Sequence, residues 1–285
     1  MAKRTKELSR SAGGNAVIFT VILLYGAFMV LPFIYAVSNS LKPLDELWMF
    51  PPRFFVRNPT GKNFSDLFNL MSDSWVPFSR YLFNTVFISV AGTGGNLLLA
   101  SLCAYSLSKH KFRARNVIFK IIVLSLMFST AVTAVPTYLI LNTLGLIDTY
   151  GALIFPAFGS TLGLYMMKQF IDSSIPDSLL EAARIDGSGE WHTFWHIVMP
   201  LVKPAWLTLM ILSFQGLWAT GATTVIQTES LKTLNYALTQ INSSGIARQG
   251  TAAAAAIVMA LVPIIFFVAT QSKIVETVAT SGMKD

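Results

Sequence analysis

The sequence predicts an all-α polytopic membrane protein from three observations: charged residues are scarce, apolar residues are abundant, and apolar runs long enough to cross a bilayer recur six times. Of 285 residues only 21 are Lys or Arg and 14 are Asp or Glu, 12% of the chain, which is about half the share in a soluble domain. Hydrophobic residues make up 53%, and the mean hydropathy is +0.58. A chain so poor in charge cannot clothe a water-facing surface, which excludes a soluble enzyme, a disordered protein and a coiled coil. The single cysteine, Cys103, excludes an intramolecular disulfide and a multi-cysteine metal site. The net charge of +7 does not point to nucleic acid, because the basic residues separate apolar runs instead of gathering on one surface.

The runs of about 20 residues that the hydrocarbon core requires fall at 16–37, 84–107, 117–141, 150–167, 205–226 and 251–270. They leave a tail at 1–15, a transmembrane domain at 16–270 and a second tail at 271–285. The first run follows Lys3, Arg4, Lys6 and Arg10. It is too long for a signal peptide and has no convincing cleavage site, so an uncleaved anchor is expected. Lys109, Lys111, Arg113 and Arg115 crowd the connection 108–116, whereas 142–149 holds no Lys or Arg. This imbalance places 108–116 and both chain ends in the cytoplasm. The long first connection, 38–83, is then external. Its basic residues are offset by Asp45, Glu46, Asp66 and Asp73. Its Trp48, Pro51, Pro52, Phe54, Phe55 and Trp75 suit either a lid at the headgroup level or a docking surface for an external partner.

Within the six runs the only ionisable side chain among Asp, Glu, Lys, Arg and His is Lys120, one turn from an end, where it can snorkel to the interface. Proton-coupled carriers, voltage sensors and ion pumps set charge at depth, so this inventory disfavours an ion-coupled carrier, although sodium held by carbonyls and hydroxyls stays open. Uphill movement would then draw its energy from a cytoplasmic partner. Gly92, Gly94 and Gly95, with the alanine run 252–256, are expected to let helices approach closely. Neutral polar groups are more plentiful: Asn84, Thr85, Ser89 and Asn96 in the second run, Ser129, Thr130 and Thr133 in the third, and Gln215, Trp218, Thr223 and Thr224 in the fifth. A neutral hydroxylated solute needs such groups together with an aromatic face. Phe214 and Trp218, four apart, share one helix face. The candidate solute path is therefore Asn84, Ser89, Thr130, Phe214, Gln215, Trp218 and Thr223, with interhelical bonding as the alternative role for each.

The connection 168–204 carries the clearest pattern. Pro176 and Asp177 suit a helix start and Gly187 suits a helix end, which predicts a short helix over 176–186. Trp191, Phe194, Trp195 and Val198 then recur at helical spacing as one apolar face, which Pro200 is expected to end. Two short helices joined by a glycine corner would lie flat beneath the membrane. Ala182 and Ala183 keep the first narrow enough for a partner's groove, while Glu181 and Arg184 offer charge for register. An ordinary amphipathic linker accounts for the same periodicity.

The stretch EAARIDGSGEWHTFWHIVMP, residues 181–200, resembles the EAA signature of binding-protein-dependent ABC importer permeases: EAA, three residues, G, nine residues, I, one residue, LP. Glu181, Ala182, Ala183, Gly187, Ile197 and Pro200 fall in register, with Met199 in place of the usual Leu. AYSLSKHKFRARN, VPTYLILNTLGLIDTYGALIFP, MKQFIDSSIPDSLLEAARIDG and the terminal SGMKD are also similar to the carbohydrate-importer branch, particularly its maltose-type subunit with six spans. Departures are Trp218-Ala219, where many relatives have Trp followed by Asn, and Lys284-Asp285, where relatives often have Lys-Gly. The resemblance implies a non-catalytic transport subunit in a bacterial inner membrane. Its partners would be a second permease subunit of different sequence, an external solute-binding protein and two cytoplasmic ATPase subunits. ATP and Mg would sit on those ATPases, with no cofactor on this chain, which has no GxxxxGK[ST] sequence. By the same resemblance Glu181, Ala182, Ala183, Arg184, Asp186, Gly187, Ile197 and Pro200 form the coupling site, and 281–285 reaches toward the ATPases. A non-sugar solute such as a peptide, amino acid or phosphate remains the rival within the family. A membrane-embedded enzyme is the rival outside it. His192 and His196 superficially mimic metal ligands, but the glutamate of an HExxH site is absent.

Overall fold

The computed structural model describes residues 12–72, 76–221, 224–242, 245 and 248–281. Among them all regular structure is helical: α1 (Ala12–Ser40), α2 (Leu44–Leu47), α3 (Lys62–Ser72), α4 (Phe78–Lys109), α5 (Arg115–Ser125), α6 (Thr130–Thr143), α7 (Gly151–Phe158), α8 (Thr161–Ser174), α9 (Asp177–Ile185), α10 (Glu190–Thr193), α11 (Met199–Leu201), α12 (Lys203–Trp218), α13 (Leu234–Asn242) and α14 (Gln249–Ser281). A π turn, Phe194–Val198, joins α10 to α11, and a 3₁₀ turn, Glu229–Leu231, precedes α13. The chain divides into two compact units, 1–69 with 241–258, and 70–240 with 259–285.

Three described helices are long and apolar enough to cross a membrane: Gly13–Ser40, Phe78–Lys109 and Gln249–Gln271. Two bent pairs raise the count to five. Of the six expected spans, several are therefore not single unbroken helices. The third run, 117–141, is two helices, α5 and α6, bent by 114°. The backbone tightens to bonds spanning three residues at Leu126, Met127 and Phe128, and Ser129 then turns extended to open α6 without a side-chain cap bond. The fourth run, 150–167, is broken at Gly159 and Ser160, whose hydroxyl accepts from the Gly163 N–H at 3.4 Å. The helix after that break runs on to Ser174 and draws Lys168 and Asp172 into it. The fifth run ends at Trp218, eight residues early, where Ala219 caps α12.

In the first unit the segment after α1 is knitted by its own polar groups. Buried Lys42 donates to Asn39 Oδ1 at 2.7 Å and to the Arg53 carbonyl at 2.5 Å. Glu46 accepts from the Arg57 N–H, and Asn63 donates to the carbonyls of Ser40 and Lys42. A Cβ on Gly250 would lie 2.3 Å from Asn63 Oδ1, so glycine is required at the start of α14. Trp48, Phe50 and Phe55 stay exposed. Trp75 and Asp73 lie outside the described residues. The apolar window of α1 buries nothing within the chain, so lipid or another subunit must cover it.

The second unit is built on α4, which packs against α7, α8 and α12. Small residues allow this closeness. A Cβ on Gly92 would meet Leu217 at 2.6 Å and one on Gly95 would meet the Phe158 ring at 2.0 Å, whereas Gly94 has open space. Ala100, Ala104 and Tyr105 of α4 join Met167 and Ile171 of α8, Leu180 of α9 and Phe194, Val198 and Leu209 in one buried cluster. A smaller cluster, Leu141, Ala152 and Ile226, closes the other end.

Because the Phe158 ring occupies the space beside Gly95, Gly95→Ala should overpack the α4–α7 contact by about 2 kcal/mol. The thermal midpoint in detergent should fall by about 4–8 °C, while Gly94→Ala should leave it unchanged.

Candidate functional site

The segment between α8 and α12 folds as two short helices on the buried cluster. α9 begins after Pro176, with Asp177 in its first turn, and ends in a left-handed cap. Gly187 has φ +78°; its N–H bonds the Arg184 carbonyl at 3.0 Å, and the Ser188 N–H bonds the Ala183 carbonyl at 2.9 Å. This pair of bonds is the Schellman motif, which favours glycine at the positive-φ position. Leu180 and Ala183 point into the chain, while Ser178, Glu181, Ala182 and Ile185 point out. Their spacing defines one helical face. Ile185 is 86% exposed, an unusual place for an isoleucine. Ala183, expected beside Ala182 on an insertion face, instead packs against its own chain.

Both ends of α9 are tied to the last turns of α4. At its start the Lys109 ammonium donates to the Ile175 carbonyl at 2.5 Å and to Asp177 Oδ1 at 2.9 Å. The neighbouring Ser108 hydroxyl donates to Asp172, which also pairs with Lys168 at 2.5 Å. At its far end Arg184 donates to Glu190 Oε1 at 3.0 Å, and the Tyr105 hydroxyl donates to Glu190 Oε2 at 2.9 Å. His110 Nε2 stands 3.6 Å from the same oxygen. The hydrogen bond and charge of Lys109 hold the Asp177 carboxyl below its ordinary range. In the sequence Lys109 counted only as one of the basic residues of its loop, and Tyr105, His110 and Glu190 did not stand out, because each bonds across 66 or more residues and no local period marks such a pair.

The second short helix departs from the expected single apolar face. The π turn at Phe194–Val198 widens the helix before Pro200, which lacks the N–H for a normal bond and crowds the preceding turn. The helix therefore passes Pro200 and ends at Leu201, before an 81° bend into α12. The wider turn splits the four residues: Phe194 and Val198 are buried, Trp191 and Trp195 are exposed. Ile197 is half-buried, and Arg184, Asp186, Gly187 and Pro200 are exposed. His192 and His196 stack at 4.1 Å. No group of three His, Cys, Asp or Glu side chains with metal-binding spacing occurs among the described residues.

The expected solute-path residues do not gather around one cavity. Asn84 is fully buried and used up: its amide donates to the carbonyls of Ser230 and Lys232, each at 2.8 Å, and its oxygen accepts from the Tyr150 hydroxyl at 2.7 Å. It clamps the 228–234 segment, helped by Asp148 in left-handed conformation (φ 61°), which accepts from the N–H groups of Gln227 and Thr228. The Thr228 hydroxyl and these N–H bonds hold the Asp148 carboxyl below its ordinary range. Ser89 is fully buried with its hydroxyl unpartnered among the described residues. Phe214 and Trp218 do share a face, but it packs inside the chain: Phe214 stacks on Phe266 at 4.2 Å, and Trp218 Nε1 donates to the Met259 carbonyl. Thr130 is exposed and Gln215 half-buried. Thr223, like 282–285 of the tail, lies outside the described residues.

Removing the shared acceptor by Glu190→Ala should loosen the far end of α9 by about 1 kcal/mol, the usual worth of one such bond. Amide exchange over 183–190 should then quicken about fivefold. The tie at the other end has a depressed carboxyl pKa, so it is present above the ordinary carboxyl value of about 3.9 and is lost only as pH falls through the lower folded value. Exchange at the start of α9 should therefore stay slow down to pH of about 4, and quicken there only when Asp177 is replaced by Asn.

Comparison with known proteins identifies the family. The profile of the family described as binding-protein-dependent transport system inner membrane component matches residues 96–277. Protein LplC of Bacillus subtilis is 33% identical over 68% of this chain, a match that spans 63% of the relative's own length. The polygalacturonan/rhamnogalacturonan transport system permease protein YtcP of Bacillus subtilis is 31% identical over 74% of this chain and 71% of its own. The fold is that of a chain in the crystal structure of a bacterial ABC transporter involved in the import of the acidic polysaccharide alginate: TM-score 0.75, 23% identity, 94% of this chain and 99% of the other covered. The chain belongs to the family of binding-protein-dependent transport system inner membrane components, the permease subunits of ABC importers.

Proposed function

We propose that this permease forms one half of the translocation pathway of an ABC importer for a sugar or oligosaccharide in a bacterial inner membrane. In this reading the six runs cross the bilayer, α5 with α6 and α7 with α8 each counting as one interrupted span. The tails at 1–15 and 271–285 lie in the cytoplasm, and 168–204 is the coupling loop within the permease domain 16–270. A second permease subunit of different sequence completes the pathway, and a periplasmic binding protein delivers the solute. Two ATPase subunits carry ATP and Mg. The neutral polar inventory of the spans and the carbohydrate cargo named for YtcP support the choice of solute.

The observation that carries the proposal is the division of labour on α9. Its rear face and both ends are fastened to the chain, while Glu181, Ala182 and Ile185 are exposed on the outward face. A short rigid helix so mounted transmits a push. When the ATPases close on ATP, the helix moves as a lever, α4 follows because Lys109, Tyr105 and Glu190 hold it, and the spans rock to open the cavity outward. Glu181 would set register against a basic ATPase group, and exposed Ile185 would supply the apolar anchor. The exposed Asp186 and Gly187 turn the chain sharply away, so the outward face of the helix can enter a groove.

Glu181→Lys reverses the docking charge, and Gly187→Asp places bulk and strain at a positive-φ corner. In vesicles reconstituted with the ATPases, the partner permease and the binding protein, either variant should insert normally. Each should lose about tenfold or more of ATP-dependent uptake, with ATP hydrolysis no longer tied to solute. Normal uptake by either variant contradicts the role given to α9. The solute retained by the cognate binding protein, identified by mass spectrometry, decides between a sugar and another cargo.

A further inference from the structure

A hollow of about 220 Å³ lies inside the second unit where α4 passes the α7–α8 break and α12. Its polar lining is Asn96 from α4, Ser160 at the break and Ser213 from α12. Asn96 is 2% exposed. Its amide donates to the Ser213 hydroxyl at 3.0 Å, and its carbonyl oxygen has no partner among the described residues. A buried carbonyl left unpaired costs about 1–3 kcal/mol. Gly163 stands next to that oxygen and lets Leu209 pack closely against α8. A Cβ there would strike Leu209 at 2.6 Å and stand 3.5 Å from the Asn96 oxygen. On one side the hollow is bordered by exposed Leu162, Leu212 and Gly216.

We infer that this hollow is a subsite for one hydroxyl group of a neutral sugar or polyol, received between Asn96 and Ser213. A hydroxyl both donates and accepts. It gives its proton to the Asn96 carbonyl, while the Ser213 hydroxyl, already accepting from the Asn96 amide, has its own proton to offer the incoming oxygen. A carboxylate has no proton for the Asn96 oxygen and would set lone pair against lone pair. The volume, about seven waters' worth at about 30 Å³ each, is too small for a disaccharide, so the site reads part of the solute. This inference rests on the reading of the chain as a sugar importer's permease and places a specificity contact on it.

The test uses the complete importer in vesicles with Cys103, the one native cysteine, replaced by Ala and with Gly216→Cys at the border of the hollow, where a Cβ meets nothing within 4 Å. The rate of labelling by a small methanethiosulfonate cation is measured with glycerol, glucose, sodium glucuronate or sodium chloride. Glycerol and glucose should each slow labelling about threefold or more at occupancies above about two thirds, and sodium chloride should not. Glucuronate, which keeps hydroxyls of its own, should protect no better than glucose. Adding Asn96→Leu should abolish the protection, and Ser213→Ala, a smaller change that keeps the fold if the first does not, should weaken it. Failure of Gly216→Cys to label, equal labelling with and without both polyols, or protection that survives both variants overturns the subsite. If protection fails while uptake still requires the ATPases and an intact α9, the subsite alone is wrong. Uptake without ATPases would refute the importer reading itself.

Discussion

A short helix can act as a lever only if it is fastened at both ends, and here the fastening falls on the last turns of one long helix. Lys109 reaches the Ile175 carbonyl and Asp177 at the start of α9. Glu190 gathers Arg184 from the end of α9 and Tyr105 from α4. One charged pair near the surface is worth little on its own. These contacts gain from the buried cluster beneath them, in which Leu180, Phe194 and Val198 lock the same elements to Ala104 and Met167. With rear and ends committed, the outward residues of α9 are left for a partner.

The same long helix organises the rest of its unit. Gly92 and Gly95 bring α12 and α7 to within contact of the α4 backbone, so displacement of α4 is felt by both neighbours. The break at 159–160 joins the two helices, α7 and α8, that pack on α4, and irregular backbone is common where membrane helices line a cavity.

What the sequence revealed and what it concealed follow from the range of the interactions involved. The short helix α9 was legible because proline, aspartate and a terminating glycine act within one turn, and the Schellman cap at Gly187 sits where the glycine predicted it. Membrane character was legible because composition alone decides it. The breaks in the third and fourth runs were not, since hydropathy averages over a window and an apolar residue counts the same in a helix and in a turn. Pro200 misled because a widened turn absorbed it. Asn84 looked like a solute ligand, and the structure spends its amide on the 228–234 loop and its oxygen on Tyr150; an amide's role depends on partners 66 to 148 residues away. Conversely, Asn96 reads no differently from its polar neighbours until its unpaired oxygen is seen beside a hollow.

The central claim is that α9 and the end of α4 move as one body. Replacing Lys109 and Asp177 by cysteines and joining them with a short, reducible bifunctional reagent tests it directly, since the cross-link substitutes a covalent tie for the 2.9 Å ion pair. ATP-driven uptake by the cross-linked importer should equal that measured after the link is reduced. Uptake blocked by the link and restored by reductant would mean that the two elements separate during transport, and the lever would have to be abandoned.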